Sequence, residues 1–190
     1  MPQSFAKSLI RVLFQRDNFF SGNIPSELGL LSKLQIWVAT DNLLSGPVPE
    51  NLWSFPSLLG LDIDKNAGLS GTIPTNIQLS WGFNIAETSM GGTIPSEVGL
   101  LSNFLYITVE HTQVTGTIPT EITNLGQLAY LLVNDNSLTG TFPAMNSTSL
   151  RELRMENTSL TGLVPDAVCG IPDLSFDCPD MCGCDCPCDA

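Results

Sequence analysis

The chain has 190 residues, of which 43% are apolar, and a formal net charge of -12 at pH 7. This length suits one ordinary domain or a short repeat array, and the apolar fraction is sufficient for a core. Lys and Arg, which neutralise nucleic-acid phosphates and anionic lipids, are absent from Asn66 to Leu150. The composition therefore argues against nucleic acid or an anionic membrane surface as a partner. No stretch reaches the roughly 18 consecutive apolar residues of a membrane span.

A glycine followed three residues later by a proline recurs along the chain. The pairs are Gly22/Pro25, Gly46/Pro49, Gly71/Pro74, Gly92/Pro95, Gly116/Pro119, Gly140/Pro143 and Gly162/Pro165. Successive glycines are 24, 25, 21, 24, 24 and 22 residues apart, and a large apolar residue precedes every one of these prolines. A period of this length is typical of a solenoid, in which each unit buries its apolar face against its neighbours.

The unit that leads to Gly140 illustrates the rest of the pattern. Its apolar positions, followed by one asparagine, are Leu125, Leu128, Leu131, Val133, Asn136 and Leu138. The apolar alternation at Leu131 and Val133 predicts a short strand with Leu132 facing outward. We expect the asparagine to satisfy backbone groups of its own turn and of the next coil. The Ile-Pro step predicts an extended residue followed by a helical turn.

The pattern LxxLxxLxLxxNxLxGxIPxxLxx resembles the repeats of plant-type leucine-rich-repeat proteins, found in receptor-like kinase ectodomains and polygalacturonase-inhibiting proteins. The resemblance covers about Leu9 to Ile171. It implies an α/β repeat solenoid, a right-handed leucine-rich-repeat arc with a parallel concave β-sheet and short 3-10 or helical turns on the convex side. We expect about seven repeats over residues 1–168 and a Cys-rich cap and tail over residues 169–190.

Several units depart from the pattern, and so does the start of the chain. The sixth unit, around Met145 to Leu153, is shortened, and we expect a loop at Asn146-Ser147-Thr148 in place of its helical turn; one extra residue also follows Asn66. In the first unit we expect Asp17 to replace the asparagine, with one extra residue before Phe20, and the third unit is three residues short. The core residues assigned in these units are Leu9, Val12 and Phe14 in the first, and Trp81, Phe83 and Ile85 in the third. The family usually begins with a cysteine-containing cap, and none is visible here. We therefore expect a signal peptide and cap upstream, and either a monomer or association through the uncapped N-terminal end.

All six cysteines lie in the last 22 residues, at Cys169, Cys178, Cys182, Cys184, Cys186 and Cys188. Disulfides, a metal site and free thiols are all open from the residues themselves, although Cys-x-Cys spacing is tighter than the usual zinc-binding pairs. The segment resembles the Cys-rich ends of short leucine-rich-repeat proteins from diatoms and related algae. The resemblance favours disulfides, with Cys169 to Cys178 as the favoured pair.

The outward strand positions are the candidate ligand-binding residues. Those selected are Tyr106, Tyr130, His111, Glu110, Leu132, Asp135, Asp64 and Glu87. Tyr106 and Tyr130 occupy equivalent positions about 5 Å apart at strand spacing, and would form an aromatic centre with a polar rim. The alternative is that the two rings simply pack against each other across the strands. His111 is the only histidine, which gives little support to catalysis, and the sequence indicates no cofactor.

The sequence therefore predicts a non-enzymatic module of the cell surface or extracellular space that recognises a protein, a peptide or a cell-wall polymer. Two sequons, at Asn146 and Asn157, fit glycosylation during secretion. One alternative is a structural or ice-binding protein that uses ranks of Thr-x-Thr beside the repeat glycines. A second alternative is metal binding through the cysteine tail.

Overall fold

The computed structural model describes residues 10–145 and 149–177, and within them the chain winds into stacked coils built from short strands. The strands are β1 (Val12–Phe14), β2 (Ser21–Asn23), β3 (Ile36–Val38), β4 (Leu43–Pro47), β5 (Gly60–Asp62), β6 (Gly68–Ser70), β7 (Gly82–Asn84), β8 (Gly91–Thr93), β9 (Tyr106–Thr108), β10 (Gln113–Gly116), β11 (Tyr130–Leu132), β12 (Ser137–Thr141), β13 (Glu152–Arg154), β14 (Ser159–Thr161) and β15 (Asp173–Ser175).

One strand of each coil contributes to a parallel sheet in the order β1-β3-β5-β7-β9-β11-β13-β15. The strands that follow form two shorter parallel sheets, β2-β4-β6 and β14-β12-β10-β8. The remaining side carries the helix α1 (Glu50–Trp53) and four 3-10 turns, at Ser26–Leu30, Ser96–Leu100, Thr120–Asn124 and Asp166–Val168. This is the predicted leucine-rich-repeat architecture, with the eight-stranded sheet as its concave face.

The core is a continuous stack because equivalent residues of successive coils pair in register. Leu131 lies opposite Ile107 on one side and Leu153 on the other, and all three are fully buried. Large rings fill the centre, where Trp53 and Phe83 meet edge to face with ring centroids 5.4 Å apart. The predicted register of the regular coils is confirmed, with Leu131 inward and Leu132 on the opposite face.

The asparagine after the strand links neighbouring coils as well as its own turn. The Asn136 Nδ2 atom donates to the backbone oxygens of Val133 and Asn134 in its own coil, and to that of Val109 at 2.7 Å. Its Oδ1 atom accepts from the backbone N–H of Val114. Because Val109 and Val114 belong to the preceding coil, the prediction that the amide serves the next coil was wrong in direction.

The first unit is shifted by one residue from the prediction. Val12 and Phe14 are 42% and 63% exposed, whereas Leu13, between them, pairs with Trp37 and packs against the core. Asn18 therefore takes the asparagine position, and no extra residue precedes Phe20. The cause is Gln15 in the second core position, where its Oε1 accepts from the Trp37 indole N–H at 3.1 Å. Leu9 lies outside the described residues.

The shortened third unit keeps two of its three predicted core residues. Phe83 and Ile85 are fully buried, but Trp81 is 40% exposed. Leu79 is fully buried and supplies the core side chain that the prediction assigned to Trp81. The indole is left on the concave side, at the start of β7.

Candidate functional site on the concave face

Four residue positions of each coil lie on the concave face, in four columns that run across the strands. In the β9 coil they are Tyr106, Thr108, Glu110 and His111, and in the next coil Tyr130, Leu132, Asn134 and Asp135. The first two columns are strand residues paired in register. The other two are joined by backbone hydrogen bonds such as that from His111 N–H to Asn134 O. The eight predicted candidate residues all belong to these columns.

The fourth column consists of residues in the left-handed backbone conformation. Its members, with φ between 52° and 54°, are Asp17, Asp41, Lys65, Glu87, His111, Asp135 and Asn157. This turn brings two successive side chains, such as Asn134 and Asp135, onto the same side of the chain. Asp135 connects its neighbours, since His111 Nε2 lies 3.4 Å from its Oδ2 and Asn157 donates to its Oδ1 at 2.9 Å.

Tyr106 does not form a ring contact with Tyr130, although the two residues pair in register. A Cβ atom on Gly60 would lie 2.6 Å from the Tyr106 hydroxyl, and one on Gly82 would collide with Tyr106 backbone and ring atoms. The phenol therefore lies across two coils that have no side chain at this column. Burial, and next the charge of Asp62, raise the pKa of Tyr106.

Asp62 and Asp64 form a carboxyl pair beside the Tyr106 hydroxyl. Burial, and next repulsion from Asp64, raise the pKa of Asp62 from 3.8 to about 6. Arg16, with its Nη2 atom 3.9 Å from Asp62 Oδ2, acts in the opposite direction. A hydrogen bond between the two carboxyls also favours the protonated form of Asp62 and so raises its pKa. The buried Oδ1 atoms of Asp62 and Asp64 have no hydrogen-bond partner.

Glu110 lies two coils further along, in the third column. Burial raises its pKa, while the positive charge of Arg154 is the largest opposing influence. Arg154 is itself engaged by Glu152 at 2.8 Å and by Asp173 at 3.5 Å. Glu110 is thus a half-buried acid whose ionised form the charges of Arg154 and His111 favour, although it forms no ion pair with either side chain.

An apolar edge flanks these acids, at the residues that begin the strands. Trp81, Leu105 and Tyr130 are each 40% exposed. Leu105 and Tyr130 also line a shallow pocket together with Ala129 and Arg151. Trp81 was missed as a surface residue because the shortened coil was expected to need its ring in the core.

The predicted threonine ranks lie on either side of the repeat glycines, along the sheet formed by β8, β10, β12 and β14 (the second sheet). In one rank the hydroxyls of Thr115, Thr139 and Thr161 donate to the glycine carbonyl of the preceding coil at 3.2–3.3 Å. In the other rank, the Thr93 and Thr117 methyl groups pack against Gly116 and Gly140 of the next coil. A Cβ atom on either glycine would lie 2.9 Å from the methyl group. The threonines are exposed, and many of their atoms stabilise the stacking of the coils.

Several predicted site residues lie beyond the described ranges. These are Asn146, Cys178, Cys182, Cys184, Cys186 and Cys188. Cys169 is described and is disulfide-bonded. In the described ranges no helix has the length and apolar character needed to cross a membrane. The strand β15, which follows Cys169, continues the concave sheet by pairing with β13.

Comparisons with known proteins agree with this architecture. The Leucine Rich Repeat family matches residues 149–171. Receptor-like protein 35 of Arabidopsis thaliana is 35% identical over 92 residues, which is 48% of this chain and 9% of that protein. The chain is thus much shorter than this relative.

Among solved structures, the Arabidopsis receptor kinase HAESA, in complex with the peptide hormone IDA and the co-receptor SERK1, superposes with a TM-score of 0.79. It is 32% identical, with 90% of this chain and 29% of the receptor covered. The GASSHO1/SCHENGEN3 ectodomain from Arabidopsis thaliana, in complex with CASPARIAN STRIP INTEGRITY FACTOR 2, gives a TM-score of 0.76 at 31% identity, covering 88% of this chain and 21% of that one. A plant ice-binding protein is 16% identical with a TM-score of 0.53, covering 95% of this chain and 76% of that one, and shares the fold alone.

Repeats, stacked parallel strands and these similarities define a leucine-rich-repeat solenoid. The fold of this chain is a leucine-rich-repeat solenoid, and its repeats are similar to those of plant receptor ectodomains.

Proposed function

We propose that this chain is a non-enzymatic extracellular module, receptor-like or inhibitor-like, that recognises a protein, a peptide or a cell-wall polymer on its concave face. The observation that carries the proposal is the grouping of exposed aromatic, apolar and charged side chains on this one face. The similarity to HAESA, whose ectodomain was solved with a bound peptide hormone, supports the same reading. An apolar centre surrounded by polar groups is the usual anatomy of a recognition surface.

The candidate residues divide into contact and support roles. Tyr130 and Leu132 are the side chains we expect to contact the ligand through apolar surface. The expected polar contacts are Asp64, Glu87, Glu110, His111 and Asp135. Tyr106 has the additional role of covering Gly60 and Gly82, so its hydroxyl rather than its whole ring faces the ligand.

Secretion would explain the cysteines and the sequons together. The Asn157 side chain is exposed, and an N-linked glycan on its Nδ2 leaves one N–H for the hydrogen bond to Asp135. Intact mass with thiol alkylation, before and after reduction, tests this on protein from its native source. We expect no cysteine to react until the protein is reduced, whereas thiols that react freely, or only after a chelator, would contradict secretion.

Binding arrays test the role of the concave face. Immobilised random peptides and cell-wall polysaccharides are probed with the labelled wild-type chain, and with Leu132→Arg on the concave face and Thr123→Arg on the 3-10 turn opposite. We expect signals that Leu132→Arg abolishes and Thr123→Arg preserves. Signals that are lost only with Thr123→Arg, or no signal above a scrambled control, would contradict the proposal.

The threonine ranks support a second candidate, an ice-binding surface. Exposed threonines repeat at the strand spacing of about 4.8 Å, beside the glycines of the second sheet. Thermal hysteresis of the purified chain, lost on Thr117→Lys, is the expected result for this function. Hysteresis no greater than that of a control protein would dispose of it.

A further inference from the structure

The centre of the concave face carries far more acids than bases. Across the coils from β5 to β11 its acids are Asp62, Asp64, Glu87, Glu110 and Asp135. Against them stand only Lys65 and the single histidine, His111, because the sequence from Asn66 to Leu150 contains no Lys or Arg. The resulting field attracts cations and repels anions.

Three basic side chains of the described concave face are engaged by acids, whereas Lys65 forms no ion pair there. Arg16 pairs with Asp62 at 3.9 Å, and Arg154 pairs with Glu152 and Asp173. His111 pairs with Asp135. Within residues 10–145 and 149–177, no basic side chain lies within ion-pair distance of Asp64, Glu87, Glu110 or Glu156. Four acids in the third and fourth columns are left for a positive group from outside.

Buried acceptors without donors occur in the same columns. Asn134 is only 4% exposed, and its Oδ1 atom has no hydrogen-bond partner although its Nδ2 donates to Asp135. The Oε2 atom of Glu156, in the adjacent coil, and the Oδ1 atom of Asp64 are likewise buried without a hydrogen-bond partner. A buried acceptor without a donor destabilises the folded protein. A small rearrangement that admits a donor would recover part of this cost.

The apolar edge of Trp81, Leu105 and Tyr130 runs alongside the acids. Its exposed carbon atoms offer an anchor that a simple cation such as a polyamine would not use. The combined surface, apolar at the beginning of the strands and acidic at their ends, matches a ligand with both characters.

We propose that the occupant of the concave face is a basic peptide segment, whose Lys or Arg side chains lie against the acidic columns while an apolar side chain packs on the Trp81–Leu105–Tyr130 edge. This inference rests on the proposed function and narrows it from three ligand classes to one. The same acids repel an acidic cell-wall polysaccharide.

The unpaired acceptors form two groups, Asp64 and the Asn134–Glu156 pair. The distance between these groups determines the expected spacing of the basic residues in the ligand. Asp64 belongs to the β5 coil, and the Asn134–Glu156 pair belongs to the β11 and β13 coils. At about 4.8 Å per strand these groups are roughly 15 Å apart, which is four to five residues of extended chain. The ligand therefore carries two basic residues at about this spacing.

Selection of a phage-displayed library of random peptides on the purified chain provides the test. We expect the enriched peptides to contain paired Lys or Arg with an aromatic or aliphatic residue, and their affinity to fall with added salt. The double variant Asp64→Asn/Glu110→Gln should weaken binding of a selected peptide by about 10–100-fold. Glu97→Gln/Glu121→Gln, which changes net charge equally on the other side of the molecule, should change binding by less than about threefold.

Each remaining outcome is decisive. Removing the two concave acids relieves repulsion, so a melting temperature equal to or above that of the wild type shows that lost binding is not unfolding. Enriched peptides without basic residues, still abolished by Leu132→Arg, would overturn the basic ligand and leave the recognition face standing. Equal losses of binding affinity with both double variants would show that only the net charge of the protein matters, and would overturn the proposed site. If no peptide is enriched, or only an acidic polysaccharide binds, the basic-peptide inference fails.

Discussion

Asp62 shows most directly the conflict between stability and a charged concave face. An unfolded aspartate titrates near about 3.9, whereas burial and Asp64 hold the folded pKa at about 6. Because the folded state binds this proton more tightly, stability is greatest below the unfolded pKa. It falls as the pH rises from about 4 to 6 and stays lower above that range.

Asp62→Asn is therefore expected to stabilise the protein at pH 8 by roughly 1–2 kcal/mol. The raised pKa behind this value is already the net effect of burial, Asp64 and the opposing Arg16 contact. At pH 4, where Asp62 is already protonated, the variant should match the wild type. Urea unfolding at the two pH values measures this, with Glu121→Gln as a control expected to change little at either. A variant that is destabilised at pH 8 would mean that the Arg16 contact outweighs burial.

Gly60 and Gly82 determine where Tyr106 lies, for different reasons. Gly82 has φ 141°, and a Cβ there would collide with the Tyr106 backbone, so Gly82→Ala should cost about 3 kcal/mol or more. A Cβ on Gly60 meets only the far end of the phenol, so Gly60→Ala should cost about 1 kcal/mol. Equilibrium unfolding compares the two, and equal losses would contradict the assigned position of the ring.

The asparagines that follow the strands, Asn42, Asn66 and Asn136, each connect two neighbouring coils through their side-chain amides. Asn136→Ala should cost about 2–4 kcal/mol, because several buried backbone groups lose their partner. Asn136→Thr should cost less, since Thr112 at the equivalent position donates to the Val109 oxygen at 2.7 Å. Denaturant unfolding ranks the two variants, and equal stability of Asn136→Ala and the wild type would refute the role.

Because successive strand residues face opposite sides, the same substitution at adjacent positions should have very different effects on stability. Leu131 and Ile118 are buried, and Leu132 lies half-buried on the concave face. Leu131→Asp or Ile118→Asp should unfold the coil and its neighbours, because each repeat is stabilised mainly by adjacent ones. Leu132→Asp should lower the melting temperature by only a few degrees. Similar melting temperatures for the three variants would refute the register.

Each coil could be predicted from the sequence to the extent that it keeps the regular spacing of apolar residues and asparagine. Leu131 and Asn136 follow directly from spacing, because period-two burial and a buried amide leave a clear signature. The first coil was misplaced by one residue because Gln15 occupies a core position and Val12 and Phe14 imitate the alternation. Burial against a neighbouring coil, which the sequence does not display, decided between the two registers.

At the scale of the whole molecule, the concave columns were predictable but the contacts within them were not. The sequence placed Tyr106 beside Tyr130, and the strands do pair there. The direction of the Tyr106 ring depends on the absence of side chains at Gly60 and Gly82, two and one coils away. Likewise, the raised pKa of Asp62 depends first on its burial among neighbouring coils, which the sequence does not display.

The central claim is that ligand binds on the concave sheet, beside its acids. Its most direct test is photo-crosslinking of a selected peptide that carries a benzoylphenylalanine at its apolar position, with the crosslinked residues mapped by mass spectrometry. We expect crosslinks at Trp81, Leu105 or Tyr130 that are lost when unlabelled peptide competes. Competed crosslinks confined to the 3-10 turns, or to the threonine ranks of the second sheet, would contradict it.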